Sequence, residues 1–214
     1  MADGFLTNEA AGPRRGVLLL AHGAGAAMDS PFMNRFAGHA AAAGLEVARF
    51  EFAYMAQRRT GGSKRPPAAV ETLVVEFRKA LTRLLAVTDG PVIIGGKSLG
   101  GRVTAMVGGG ALDPRVVGVL CLGYPLHPPG MPEKQRLEPL AGLAVPALIC
   151  QGERDPFGDR REIEAMVLPP AVRLHWCTDG SHDLAPRGGS PATWDGNLKD
   201  AAEAAATLLS SPAA

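Results

Sequence analysis

A chain of 214 residues, 46% hydrophobic and 20% charged, has the size and apolar content of one globular domain, which excludes a disordered or fibrous protein. With 22 Lys and Arg against 21 Asp and Glu, the net charge of +1 supplies no global field for nucleic acid or an anionic membrane, so neither is expected as a partner. Cys121, Cys150 and Cys177 are odd in number, lie in apolar runs and lack C-x-x-C spacing, which argues against a disulfide framework or a metal site. Buried thiols in a reducing cytoplasm are the expectation.

The N-terminal "MADGFLTNEAAGPRRG" has no apolar stretch preceded by basic residues and is not read as a signal peptide. Residues 1–15 are expected to be a flexible segment ahead of a single domain, and residues 210–214 a flexible tail. The first strand candidate, "GVLLLAH" at 16–22, is far too short to span a bilayer. A helix follows in "PFMNRFAGHAAAAG", with Ser30 as N-cap and Pro31 at the first helical position. "LEVARFEF" at 45–52 is the second strand. From Ala68 to Val87, Val70, Leu73, Val74, Phe77, Leu81, Leu84 and Leu85 recur at three- and four-residue steps, the pattern of an amphipathic helix. Strand "PVIIGG" at 91–96 then leads into helix "GRVTAMVGG". The remaining strands are "VVGVLCLGYP" at 116–125, "PALICQG" at 146–152 and "VRLHWC" at 172–177, with helices from Asp159 and in "DGNLKDAAEAAATLL". Four of these strands are almost wholly apolar, as expected where helices cover both faces of a parallel sheet. The alternation predicts an α/β fold: three layers, doubly wound, with about six to seven mostly parallel strands.

In such a sheet ligands bind at the loops leaving the carboxyl ends of the strands. One of these loops, in "IIGGKSLGGR" at 93–102, admits two readings. "GKS" ends a phosphate-binding P-loop, but that motif requires glycine at the position occupied by Pro91, and residues 92–94, "VII", are a strand body. Gly96-Lys97-Ser98-Leu99-Gly100 instead fits G-x-S-x-G, a nucleophile elbow, in the strand-turn-helix context that motif needs. Lys97 is then only the variable position. With 27 glycines in the chain the motif alone is weak, so partners decide.

A serine hydroxyl becomes nucleophilic when a histidine takes its proton and a carboxylate orients that histidine. In the chain order Ser, acid, His, the loop after "PALICQG" supplies Asp155 and the loop after "VRLHWC" supplies His182. Glu153, Asp159 and Asp179 are the nearby competing acids. His175 lies in a strand, His39 in a helix, and His127 would break the order. The oxyanion donors are expected to be the N–H of Leu99 and, in the turn "HGAG" after the first strand, that of Ala24.

With these residues in place, "HGAGAAMDSPFM", "RFEFAYMAQRR", "GGKSLGGR", "GYPLHPPG", "QGERDPFG" and "GSHDL" resemble the α/β-hydrolase superfamily, in particular the small dienelactone-hydrolase-like group that includes the testis-expressed and chromatin-complex hydrolase-like proteins. The resemblance implies a compact hydrolase with Ser98, Asp155 and His182 as the catalytic set and no cofactor. Dienelactone hydrolases proper use cysteine where this chain has Ser98, so lactone specificity does not carry over. Only residues 126–145 separate two consecutive strands, too few for a substantial lid. The expected activity is cleavage of small carboxylic esters or thioesters, the partner a small acyl substrate, and the assembly a monomer or homodimer. A non-catalytic binding protein and an acyltransferase using the same residues remain the alternatives. His22, Tyr54, Arg58, Arg59 and His127, at the same sheet edge, are candidate substrate contacts. Arg58, Arg59, Lys64 and Arg65 form a basic loop without a compensating acid, which attracts an anionic substrate or simply faces water.

Overall fold

The computed structural model describes residues 4–210. Seven strands, β1 (Leu6–Asn8), β2 (Gly16–Ala21), β3 (Leu45–Phe50), β4 (Val92–Lys97), β5 (Val116–Leu122), β6 (Ala147–Gly152) and β7 (Val172–Cys177), form one sheet in the order β1-β3-β2-β4-β5-β6-β7. All neighbouring pairs are parallel except β1 with β3. Between them run α1 (Pro31–Ala42), α2 (Ala53–Ala56), α3 (Val70–Val87), α4 (Leu99–Gly108), α5 (Glu138–Ala141), α6 (Arg160–Glu164) and α7 (Trp194–Ala206).

The apolar strands are apolar because both sheet faces are covered. Side chains alternate across a strand, so Leu19 of β2 and Ile94 of β4 pack under Phe77 and Leu81 of α3 and Val103 of α4. Leu18, Leu20 and Ile93 face the other way, under Phe36 and Ala40 of α1 and Leu198 and Ala202 of α7. Local signals set the helix starts. Pro31 opens α1, Asp159 and Glu162 form a reciprocal capping box at α6, and the Thr193 hydroxyl accepts the Gly196 N–H at α7. No helix among the described residues is long and apolar enough to cross a membrane.

Two expectations are corrected. Within the segment 1–15, Leu6–Asn8 is a strand, with Leu6 opposite Arg49 and Asn8 opposite Val47, and Phe5 is buried in the core. The reason is non-local. The Arg49 guanidinium, 3% exposed, donates to Asn8 Oδ1 at 2.7 Å, Asn34 Oδ1 at 2.6 Å and the Met28 carbonyl at 2.8 Å, tying β1 and the start of α1 to β3. The second correction concerns the basic loop: its Arg58 and Arg59 lie in a 3₁₀ turn, Gln57–Thr60, that directly follows α2. At the other end Ser210 closes a 3₁₀ turn, Thr207–Ser210, and residues 211–214 lie outside the described residues.

Arg49→Met keeps the buried stem but orphans three acceptors, so the unfolding free energy should fall by about 2 to 4 kcal/mol. An unchanged urea midpoint would show that the guanidinium does not hold these segments together.

Candidate active site

The turn from β4 to α4 is made by Ser98 at φ 53° and ψ −113°, a conformation that L residues seldom adopt and that costs of order 1–3 kcal/mol. The two motif glycines are sterically obligatory. A Cβ on Gly96 would lie 2.3 Å from the Gly100 carbonyl carbon, and one on Gly100 would lie 2.6 Å from the His22 carbonyl oxygen. Only bare backbone lets the strand end, the helix start and the end of β2 approach this closely.

Three loops at the carboxyl edge of the sheet bring the predicted residues together. His182 Nε2 lies 2.8 Å from Ser98 Oγ, and His182 Nδ1 lies 2.8 Å from Asp155 Oδ2. An ionised carboxylate only accepts, so Nδ1 carries the proton and Nε2 is free to accept from the serine hydroxyl. Asp155 is fully buried, and its Oδ1 accepts the Phe157 N–H at 2.9 Å. The Phe157 ring packs on the imidazole with centroids 4.3 Å apart. The competing acids are engaged elsewhere. Glu153 accepts from Arg160 and from the Asp179 N–H, Asp159 caps α6, and Asp179 pairs with Arg154 and Arg187.

Leu99 is the first residue of α4, where an amide has no partner within the helix and points toward the nucleophile's turn. Ala24 is oriented by its neighbours. The Phe52 N–H donates to His22 Nε2 at 3.2 Å, so Nδ1–H donates to the Gly23 carbonyl at 2.6 Å, and the Tyr54 hydroxyl lies 3.2 Å from both the Gly23 and Ala24 carbonyls. A trans peptide puts C=O and N–H on opposite sides. With the Gly23 carbonyl turned onto His22 and Tyr54, the Ala24 N–H projects the other way, and Ala24 and Ser98 line a common cavity. Burial holds the His22 imidazole below its ordinary pKa and so in the neutral form this pattern requires.

That cavity, about 510 Å³, opens over Ser98 and His182 between the starts of α1 and α7. Phe32, Met33, Phe157 and Trp194 give it an apolar wall. None of the candidate substrate contacts lines it. His22 and Tyr54 are buried behind the oxyanion turn. His127, 2% exposed, faces the Pro128 carbonyl at 2.8 Å and Glu162 at 3.2 Å, bracing the loop that carries Phe157. Arg58 donates to the Arg65 carbonyl. Arg59 does have compensating acids, Glu51 at 2.6 Å and Asp29 at 2.9 Å, which also raise its pKa. The basic loop is thus partly neutralised by residues distant in sequence.

Two contributors carried no sequence signal. Gln151, fully buried at the end of β6, donates to Asp155 Oδ2 at 3.1 Å and the Gly158 carbonyl at 3.0 Å, while its Oε1 accepts the Tyr124 N–H at 2.8 Å. Because Tyr124 N–H can only donate, the amide orientation is fixed. Lys97, read only as the variable position of the elbow, is 6% exposed and lines the cavity. The three thiols lie away from the cavity lining. Each is buried, which pushes Cys121 and Cys177 up to about 12 and Cys150 well above the ordinary value.

The parallel strand β4 turns sharply into α4 through a positive-φ serine, and the loops after β7 and β6 deliver a histidine and a carboxylate to it. Residues 14–210 match the family described as an alpha/beta hydrolase domain, and the chain belongs to that family. Its fold is shared with a dienelactone hydrolase from Anabaena variabilis (20% identity, 92% of this chain and 88% of that one, TM-score 0.69). It is also shared with an alpha-beta serine hydrolase homologue from Coxiella burnetii (20% identity, 94% and 89%, TM-score 0.64). An α/β serine hydrolase without a lid, from Xanthomonas campestris, is similar over 84% of this chain and 80% of that one (18% identity, TM-score 0.58).

Two measurements check the supports of the site. Gln151→Leu should lower kcat about tenfold through loss of the Asp155 donor, with the fold intact; wild-type kcat in a folded variant would remove Gln151 from the site. Asp179, at the start of the His182 loop, has its carboxyl held down to about 2, first by its hydrogen bond to Arg187. A pKa depressed on folding stabilises above the ordinary 3.8 and ceases to do so as pH falls through about 2. The stability difference between wild type and Asp179→Asn should therefore be full above 3.8 and shrink toward zero near 2, whereas a pH-independent difference would contradict this.

Proposed function

We propose that the protein is a lidless serine hydrolase that cleaves small carboxylic esters or thioesters through an acyl-enzyme on Ser98. The observation that carries this reading is the pair of 2.8 Å contacts linking Ser98, His182 and Asp155 beneath an open cavity. His182 takes the Ser98 proton as Oγ attacks the acyl carbon, and the imidazolium that forms is stabilised by Asp155. The N–H groups of Leu99 and Ala24 receive the oxyanion of the tetrahedral intermediate. On its collapse His182 protonates the leaving alkoxide or thiolate, and then activates the water that releases the acid. Hydrolase names among proteins of the same fold accord with this chemistry.

The substrate class follows from the walls. Between β5 and β6 the only helix is the four-residue α5, too short to form a helical cap over Ser98. Phe32, Met33, Phe157 and Trp194 offer apolar contact to a short or flat acyl group in a cavity of about 510 Å³.

Incubation with p-nitrophenyl acetate should give a burst of nitrophenol equal to the enzyme present, and a fluorophosphonate should label Ser98. Ser98→Ala should lose labelling and about 10⁴-fold or more of kcat. Turnover that survives in Ser98→Ala, or none in wild type across short-chain esters and thioesters, would overturn the proposal.

A further inference from the structure

Lys97 immediately precedes the candidate nucleophile, yet its side chain belongs to the loop of the candidate base. Its Nζ donates to the His182 carbonyl at 2.9 Å and to Asp183 Oδ1 at 3.2 Å, and lies 5.3 Å from the centre of the Phe32 ring. These three neighbours account for the three directions in which an ammonium donates. Room for the head group is kept by Gly123, at φ +62°, where a Cβ would stand 3.3 Å from Nζ and 2.8 Å from the His182 carbonyl oxygen.

Burying an ammonium is expensive, and a buried ion pair seldom stabilises more than apolar residues of equal volume would. Burial lowers the Lys97 pKa, while the charges of Asp183 and Asp155 oppose that shift. Stability therefore gives no account of the lysine, whereas geometry does. The His182 loop contains two non-glycine residues at positive φ, Asp179 at 51° and Leu184 at 58°, so its shape has to be imposed by contacts from outside. Arg154 holds the Asp179 carbonyl, Asn197 holds the Thr178 and Leu184 carbonyls, and Trp194 holds that of Asp183. Lys97 holds the carbonyl of His182 itself, and does so from the residue next to Ser98.

We propose that Lys97 is a positioning residue: its ammonium fixes the His182 peptide relative to the elbow, and so sets the distance between the imidazole and Ser98 Oγ, with Asp183 as its counter-ion. Ser98 and His182 stand 84 residues apart in sequence, and this bond ties the side chain of the residue before Ser98 to the backbone of His182. The proposal rests on the serine-hydrolase reading for its kinetic consequence and on the loop alone for its structural one.

Lys97→Met keeps the stem and removes charge and donors. Relative to wild type, kcat for p-nitrophenyl acetate and the rate of fluorophosphonate labelling should fall ~10- to 100-fold, as for a reacting group misplaced by an ångström or less. KM should stay within about twofold, since Nζ is engaged by the His182 carbonyl, Asp183 and Phe32, and methionine keeps the stem that lines the cavity. Lys97→Arg, which retains charge and donors, should recover part of the loss in kcat. Amides of residues 178–186 should exchange with deuterium faster in Lys97→Met. Wild-type kcat in folded Lys97→Met, a loss confined to KM, or unchanged exchange in the loop would each overturn the proposal. If wild type shows no Ser98-dependent turnover or labelling, the hydrolase reading fails separately, and loop exchange decides for or against Lys97. If Lys97→Met does not fold, Asp183→Asn takes its place: a fall in kcat at constant KM supports the clamp, and unchanged kcat overturns it.

Discussion

The turn at Ser98 is the constraint from which the rest of the site follows. A strand can pass into a helix within one residue only if the backbones on either side nearly touch, and at Gly96 and Gly100 they do. That contact points the Ser98 side chain out of the sheet, starts α4 with the Leu99 amide, which has no partner within the helix, and presses the turn after β2 against Ser98. The strained serine is held by close-packed surroundings: β4 is buried along its whole length, and most of α4 is buried with it. Core packing offsets the cost of the strain, so the fold and the reactive geometry are not separable here.

Parallel topology does the rest of the gathering. Because β2, β4, β6 and β7 all point the same way, the loops that leave them meet at one edge, and residues 155, 98 and 182 need no long excursions to come within hydrogen-bond distance. Each loop is then fixed by polar side chains rooted in a neighbouring element. Gln151 holds Asp155, His22 and Tyr54 hold the Gly23–Ala24 turn, and Lys97 holds the His182 peptide. These anchors are buried, so their hydrogen bonds work in a medium of low dielectric, where one unpaired member costs far more than it would in water.

This division explains what the sequence discloses. Four of the long strands, β2, β4, β5 and β6, read as apolar runs because both faces of each are covered, and the major helices as 3.6-residue periodicity. Ser98, Asp155 and His182 emerge from motif and chain order, since both follow from topology. What stays hidden depends on contacts between distant residues. Leu6–Asn8 is too short and too polar to read as a strand, and becomes one because Arg49 binds Asn8. Arg59 looks uncompensated until folding brings Asp29 and Glu51 beside it. His22, Tyr54 and His127 were legible as residues of the correct edge, but loop position does not reveal whether a side chain faces the cavity or braces its wall. Lys97 is the sharpest case, since its identity is irrelevant to the G-x-S-x-G pattern.

The missing lid makes these anchors matter more. Enzymes with a closing cap expel water from the reacting groups and strengthen every interaction inside. Here the cavity is open, and in the proposed reaction the substrate's own apolar part, laid against Phe32 and Trp194, would displace water from it. An open site cannot tighten around the transition state, so its dipoles must already stand in position before the substrate arrives. Buried supports for the base, the acid and one oxyanion amide are what such preorganisation requires. Under the proposed function, a rigid second layer and an absent lid are thus two aspects of one solution, in which the geometry at Ser98 is fixed by buried anchors and not by closure.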